Sequence, residues 1–464
     1  MSDAHPVTAT TQHPAGGDAA ARPALLPETS RRVDELVAEA QSKGRAPAVV
    51  AGVVRDGGLV HFAAAADGPP PGPDVQFRIG SISKTLTAVL ALQLRDEGAL
   101  SLEDPLSRHV AGTPVGGVTI RQLLAHVAGL QREPEGDWWE RCAGTDIETM
   151  IKQLTPDKLA HPPHRTFHYS NLAYGLLGAV LTASTGTSWL DLVTERLLAP
   201  LEMTRTTYQA TEPFARGYVV HPAHGALREE PRHDAGAMAP AGQLWSTTAD
   251  LATWAAFLAD PAPDLLAPGT AAELRAPAVI ADPDAWTAGH GLGVQLWRDG
   301  ERVYVGHSGS MPGYLAILMT HHPSRTGVVA YANAYTLRGN GSIVGLGRRL
   351  LTAVLDSEPA ARPKPWRPGT PPPPEVAPLC GRWWWMGREY EVGWDTQAPE
   401  LLMTPLTNPG AKPWRFTPEG PDRWRGRSGE NDGEILAVRR DPHGTPVALD
   451  IATFIFHRSP DEEP

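Results

Sequence analysis

Cysteine is nearly absent from this chain of 464 residues: Cys142 and Cys380 are the whole supply. Two thiols cannot build a disulfide framework, which fits a reducing compartment and excludes the small cross-linked secreted scaffolds. Long apolar runs are missing as well. No stretch of eighteen apolar residues occurs, so no segment reads as a membrane span. Positive charge is in deficit: the formal net charge is −11. That argues against nucleic acid or an anionic membrane as a partner, since both require a basic face. The first twenty-odd residues lack the apolar segment of an export signal. Arg31-Arg32 is followed by the charged, amphipathic stretch VDELVAEAQ and not by a secretion core. A cytoplasmic location is the expectation. Oligomeric state leaves no readable mark.

What is present is ordered along the chain. Residues 1–26 read as a disordered tail. Val33, Leu36, Val37 and Ala40 make a helical stripe closed by Gly44. AVVAGVVRDGGLVHFAAAA predicts a hairpin turning at Asp56-Gly57-Gly58. The middle is mainly helical, and STTADLATWAAFL predicts a helix capped by Ser246 or Thr247. From Gly289, GLGVQLW, RVYVGHS, YLAILMTHH and GVVAYANAY predict an antiparallel meander, followed by a helix from Ile343. The turn between the second and third of these is placed at Ser310-Met311-Pro312-Gly313. Strands at both ends with helices between imply an α+β fold: one antiparallel sheet flanked by helices, with an inserted helical subdomain, over residues 27–357. Residues 358–378 form a Pro-rich linker. Residues 379–464 alternate short apolar runs with turn residues and predict a small all-β barrel or sandwich.

Scarcity of lysine makes one position stand out. The chain holds six lysines among 41 basic residues. One of them, Lys84, follows Ser81 by three residues where a strand becomes a helix, in VQFRIGSISKTLTAVLALQL. Residues three apart on a helix face one another. A serine hydroxyl needs a neighbouring base to become a nucleophile. A buried lysine can lose its proton and serve, whereas arginine cannot. Chance alone supplies about a quarter of such a Ser-x-x-Lys in a chain of this composition. Ser81 as a helix cap and Lys84 as a solvated first-turn cation therefore remain an alternative on this motif alone.

Two later motifs add to it. Tyr169-Ser170-Asn171 enters a helix of small residues, where a phenol beside an ammonium can be held partly deprotonated and a carboxamide can bind an amide. A second Tyr-x-Asn, Tyr331-Ala332-Asn333, lies inside a predicted strand and is discounted. His307-Ser308-Gly309-Ser310 follows a strand. Gly309 would let a substrate backbone approach. The Ser310 N–H can pair with that of Ser81 as an oxyanion hole, and His307 can meet the acyl group or its carboxylate. No metal is expected: His161-Pro162-Pro163-His164 is a close histidine pair without a ligand motif around it. No cofactor motif is present.

Serine-lysine, Tyr-x-Asn and His-x-Gly in this order resemble the penicillin-recognising serine acyl-enzymes, in the branch of class C β-lactamases and D-stereospecific peptidases and esterases. The resemblance runs from about Arg31 to Asp356 and includes TIRQLLAHVAGL, APLEMTRTTY and APAGQLWSTTADLATW. It departs at Ala125, Val127 and Ala128, where relatives often carry hydroxyls, and at Glu202, where glycine is usual. It implies Ser81 as the acylated nucleophile, Lys84 and Tyr169 as the base pair, and Asn171 as the holder of the acyl amide. His307, Gly309 and Ser310 would line the opposite wall. It further implies a peptide-like, D-configured acyl group.

Length, lack of a signal and a C-terminal lipocalin-like β-domain are similar to the penicillin-binding-protein-type thioesterases, which cyclise peptides from nonribosomal carrier domains. By that resemblance Arg458 would bind a substrate carboxylate. The sequence alone favours an exposed strand-end arginine paired with the acidic DEEP tail. A cytoplasmic D-stereospecific peptidase, esterase or amidase using water as acceptor is the competing expectation. Trp383-Trp384-Trp385 read as alternating core and rim of a strand.

Overall fold

The computed structural model describes residues 24–358, 370–396, 399–408 and 410–461. Most of the expected tail, and the linker's residues 359–369, lie outside these. The chain divides into two compact units, between Ala361 and Arg362. Among the described residues no single helix is long and apolar enough to cross a membrane.

The first unit is built on an eight-stranded antiparallel sheet. Its order is Gly58–Ala66, Ala48–Arg55, Thr326–Ala332, Tyr314–His321, Arg302–Met311, Gln295–Asp299, Ala288–His290 and Val279–Ile280. Terminal and late strands thus join one sheet, and the helical region between them is an insertion. The hairpin at Asp56-Gly57 forms because both residues take positive φ, 48° and 86°, as a two-residue turn between twisted strands requires.

Strand periodicity divides the core. Val50 and Val54 point to one face, into a cluster with the helices Ser83–Asp96, Asn171–Thr185 and Thr248–Ala259. Val49, Ala51 and Val53 point to the other, against Pro27–Gly44 and Ile343–Ser357. Leu25 is buried in this second cluster, and the Leu26 N–H donates to Glu358. The end of the stretch assigned to a tail is therefore packed, because the Leu25 side chain joins the helix–sheet layer while Leu26, itself exposed, is held by its backbone.

Three local expectations change. The strand Arg302–Met311 runs through Ser310, and the turn is Pro312-Gly313, since Met311 already pairs with Tyr314. A small hairpin, Tyr218–Val220 with Leu227–Glu229, stands in the region read as helical. The final meander begins earlier, with Val279–Ile280 and Ala288–His290. Thr247, not Ser246, caps the helix Thr248–Ala259 by accepting from the Asp250 N–H.

The second unit is a closed eight-stranded antiparallel barrel, Gly381–Trp385 through Phe454–His457. An eight-stranded barrel has an interior that side chains fill. Trp383, Leu401, Met403, Phe416, Leu436 and Leu449 occupy it, all essentially inaccessible to solvent.

Candidate active site

Phe77–Arg78 is a two-residue strand, Gly80–Ile82 a single 3-10 turn, and the helix proper begins at Ser83. Ser81 therefore sits on the tight turn just before the helix. Gly80 makes that turn possible. Its φ is +52°, and a Cβ there would lie 2.6 Å from the Ser310 nitrogen and oxygen. The strand end at Ser310 and the nucleophile turn are thus pressed backbone to backbone. This is the arrangement from which the amides of both segments can be offered to one oxygen.

Gly309 has a different task from the one expected. A Cβ there would meet the Ile79 carbonyl oxygen at 1.9 Å. The missing side chain admits the protein's own backbone, not a substrate's.

Lys84 is completely buried, and its Nζ has three polar neighbours. Ser81 Oγ lies at 2.9 Å, Asn171 Oδ1 at 2.8 Å and the Ala241 carbonyl oxygen at 2.8 Å. The Tyr169 and Tyr174 rings flank it at 5.0 and 5.5 Å. Burial pushes the ammonium down to about 7, with Glu140 and Glu133 opposing that shift and Arg132 adding to it. A neutral amine at this pH is a general base within reach of a hydroxyl.

Tyr169 behaves in the opposite sense. Its phenol hydrogen-bonds the Ser81 side chain, yet burial raises its pKa above the usual tyrosine value. The expectation of a partly ionised phenol is corrected: desolvation outweighs the stabilisation of a phenolate, so Tyr169 is a neutral hydroxyl beside the nucleophile. His307 is 1% exposed, and its Nδ1 lies 2.5 Å from the Ser308 carbonyl oxygen. Burial holds it well below the normal histidine range. A neutral, buried imidazole offers no charge to a substrate carboxylate. It packs with His290 and Tyr169, ring centroids 6.0 and 6.1 Å away, and among the described residues its Nε2 meets no hydrogen-bond partner.

Ser81, Lys84, Tyr169, Asn171, His307, Gly309 and Ser310 all fall in this one region. Arg458 lies in the second unit. Its guanidinium stacks 3.8 Å over Trp383 and donates to the carbonyls of Pro378, Cys380 and Arg382. These contacts tie the end of the last strand to the start of the first and use three of the five guanidinium N–H groups.

Sequence reasoning missed Ala241, Glu133 and Glu140. Glu133 accepts a hydrogen bond from Asn171, and Glu140 is a half-buried carboxyl raised to about 7 by desolvation and by Glu133. Glu133 and Glu140 belong to a loop without periodicity, and Ala241 acts through its backbone, so no side-chain pattern marks it. Among the described residues no group of three or more His, Cys, Asp or Glu is placed to hold a metal.

A family model described as Beta-lactamase matches residues 33–342. This chain belongs to the β-lactamase family. It is a serine β-lactamase-like acyl-enzyme, a hydrolase or transferase, in agreement with the serine–lysine geometry above. A human protein called putative beta-lactamase-like 1 is 30% identical over 382 residues, 77% of this chain and 74% of that protein. Among solved structures, SurE is 27% identical with a TM-score of 0.60, covering 93% of this chain and 99% of its own. D-amino acid amidase from Ochrobactrum anthropi, solved with D-phenylalanine, is 20% identical with a TM-score of 0.61 over 71% of this chain and shares the fold. The barrel matches a domain of unknown function, DUF7586, over residues 372–458.

Proposed function

We propose that this acyl-enzyme uses Ser81 as nucleophile and Lys84 as base to release a peptide from a carrier-bound thioester by head-to-tail cyclisation. Lys84 takes the Ser81 proton as Oγ adds to the thioester carbonyl. The C–S bond breaks, the thiolate regains a proton by way of the neutral Tyr169 hydroxyl, and acyl-Ser81 remains. The peptide's own terminal amine then attacks the ester, loses a proton to the base, and Ser81 leaves with its proton restored. Oxyanion charge in both steps falls to the Ser81 and Ser310 amides.

The observation that carries this reading is the likeness to SurE, which extends through both units and includes a structure solved with D-Leu. It supports a D-configured residue in the acyl group. The amidase likeness, confined to 71% of the chain, supports a second reading with water as acceptor. A synthetic peptidyl thioester with a D-residue at its carboxyl end separates them. Cyclic product, one water lighter than the acid, is expected by mass spectrometry. Linear acid as sole product would transfer the proposal to a D-stereospecific hydrolase.

A further inference from the structure

Asn171 faces two partners of opposite hydrogen-bonding character. Its Oδ1 lies 2.8 Å from Lys84 Nζ and its Nδ2 lies 2.8 Å from Glu133 Oε1. A carboxylate only accepts, so Glu133 can meet Asn171 through the amide hydrogens and in no other way. That sets Oδ1 toward Lys84.

The lysine does not set it. An ammonium donates to all three neighbours, but the working base is the neutral amine, with two N–H groups and one lone pair. If Oδ1 and the Ala241 carbonyl take the two hydrogens, the lone pair is left for the Ser81 hydroxyl. A reversed carboxamide would place its own N–H groups on that lone pair, and Lys84 would then donate to Ser81 instead of accepting from it. Glu133 is itself anchored. Its Oε2 accepts from the Trp139 indole at 2.8 Å, and its Oε1 also accepts from Arg132 at 3.1 Å.

We propose that Glu133 is a positioning residue for acyl transfer: its carboxylate fixes the Asn171 carboxamide and thereby aims the Lys84 lone pair at Ser81. This rests on the reading of Ser81 and Lys84 as nucleophile and base. Glu133 also favours the ammonium electrostatically, as Glu140 does, while Arg132 opposes it. The buried imidazoles of His126, His290 and His307 face the same ammonium, held neutral by burial. The Tyr169 and Tyr174 rings complete the surround. Removing the Glu133 charge therefore lowers the pH at which Lys84 becomes neutral.

The test is the rate at which the full-length chain is labelled by a fluorophosphonate, across about pH 5–9. In E133Q the indole N–H, which only donates, draws the introduced carboxamide's oxygen. Its NH₂ then faces Asn171 and drives the reversal. E133Q should label at least about tenfold slower at its plateau and no faster than E133A, and the acid limb of both should move about half a unit or more to lower pH. E133Q/W139F removes the indole donor and should label at least about threefold faster than E133Q. A merely structural Glu133 would give additive losses and an unmoved acid limb, and that result overturns the proposal. If E133Q does not fold, an E133A profile superimposable on wild type overturns it equally. Wild type that fails to label at Ser81 would instead remove the reading on which the proposal rests.

Discussion

The two units bury different things. At the centre of the first, Lys84, His126, Asn171 and His307 are each at most 3% exposed. The barrel's buried side chains are aromatic and aliphatic, with Asn431 the one buried polar residue among those described. Its charges stay outside and pair there, as in Arg439–Asp450 and Arg440–Asp422. Desolvating a cation without a counter-ion is unfavourable, and a fold retains such a group where the shifted ionisation is used. Paired surface cations of the barrel such as Arg439 and Arg440 keep their charge, whereas the buried cation beside Ser81 must be able to lose its proton.

Substitutions can break this contrast. Ser81→Ala should abolish fluorophosphonate labelling outright, as read by intact mass. Lys84→Arg keeps the charge and removes the base; labelling should fall about 10³-fold. A rate within tenfold of wild type would show that the amine is not the base. Gly309→Ala drives a methyl into the Ile79 carbonyl at 1.9 Å. The strand must separate from the nucleophile turn, and labelling should fall at least about 100-fold while the barrel still unfolds at its own midpoint. Trp383→Ala, in the barrel core, should cost about 3–5 kcal/mol in that midpoint by chemical denaturation. Arg439→Lys, at an exposed pair, should change stability by less than about 1 kcal/mol. A large loss there would mean the barrel uses its charges as the first unit does.

Legibility in the sequence followed range. Ser81 and Lys84 were legible because three residues of helix or turn place them together whatever the tertiary structure. The Asp56-Gly57 turn was legible because its conformation selects its residues. The alternation within Trp383-Trp384-Trp385 was legible from strand geometry: Trp383 lies in the barrel core, Trp385 packs against the same core, and Trp384 takes the other face. Ala241 and Glu133 were not, since Ala241 reaches Lys84 across 157 positions and Glu133 reaches Asn171 across 38. Gly309 was recognised as a point of close approach, but a sequence does not say which backbone approaches. Tyr169 was misjudged in ionisation, because its burial depends on packing by His126 and the surrounding imidazoles. The strand-end place of Arg458 was legible, while its guanidinium lying over Trp383 depends on the closure of the barrel.

The most direct measurement of the central claim is the pH dependence of covalent labelling, with the modified residue located by peptide mass spectrometry. The account predicts a single adduct on Ser81 whose rate rises with pH through about 7, because Lys84 must be neutral to accept the serine proton. An adduct elsewhere, or a rate on Ser81 that is flat across that interval, would contradict it.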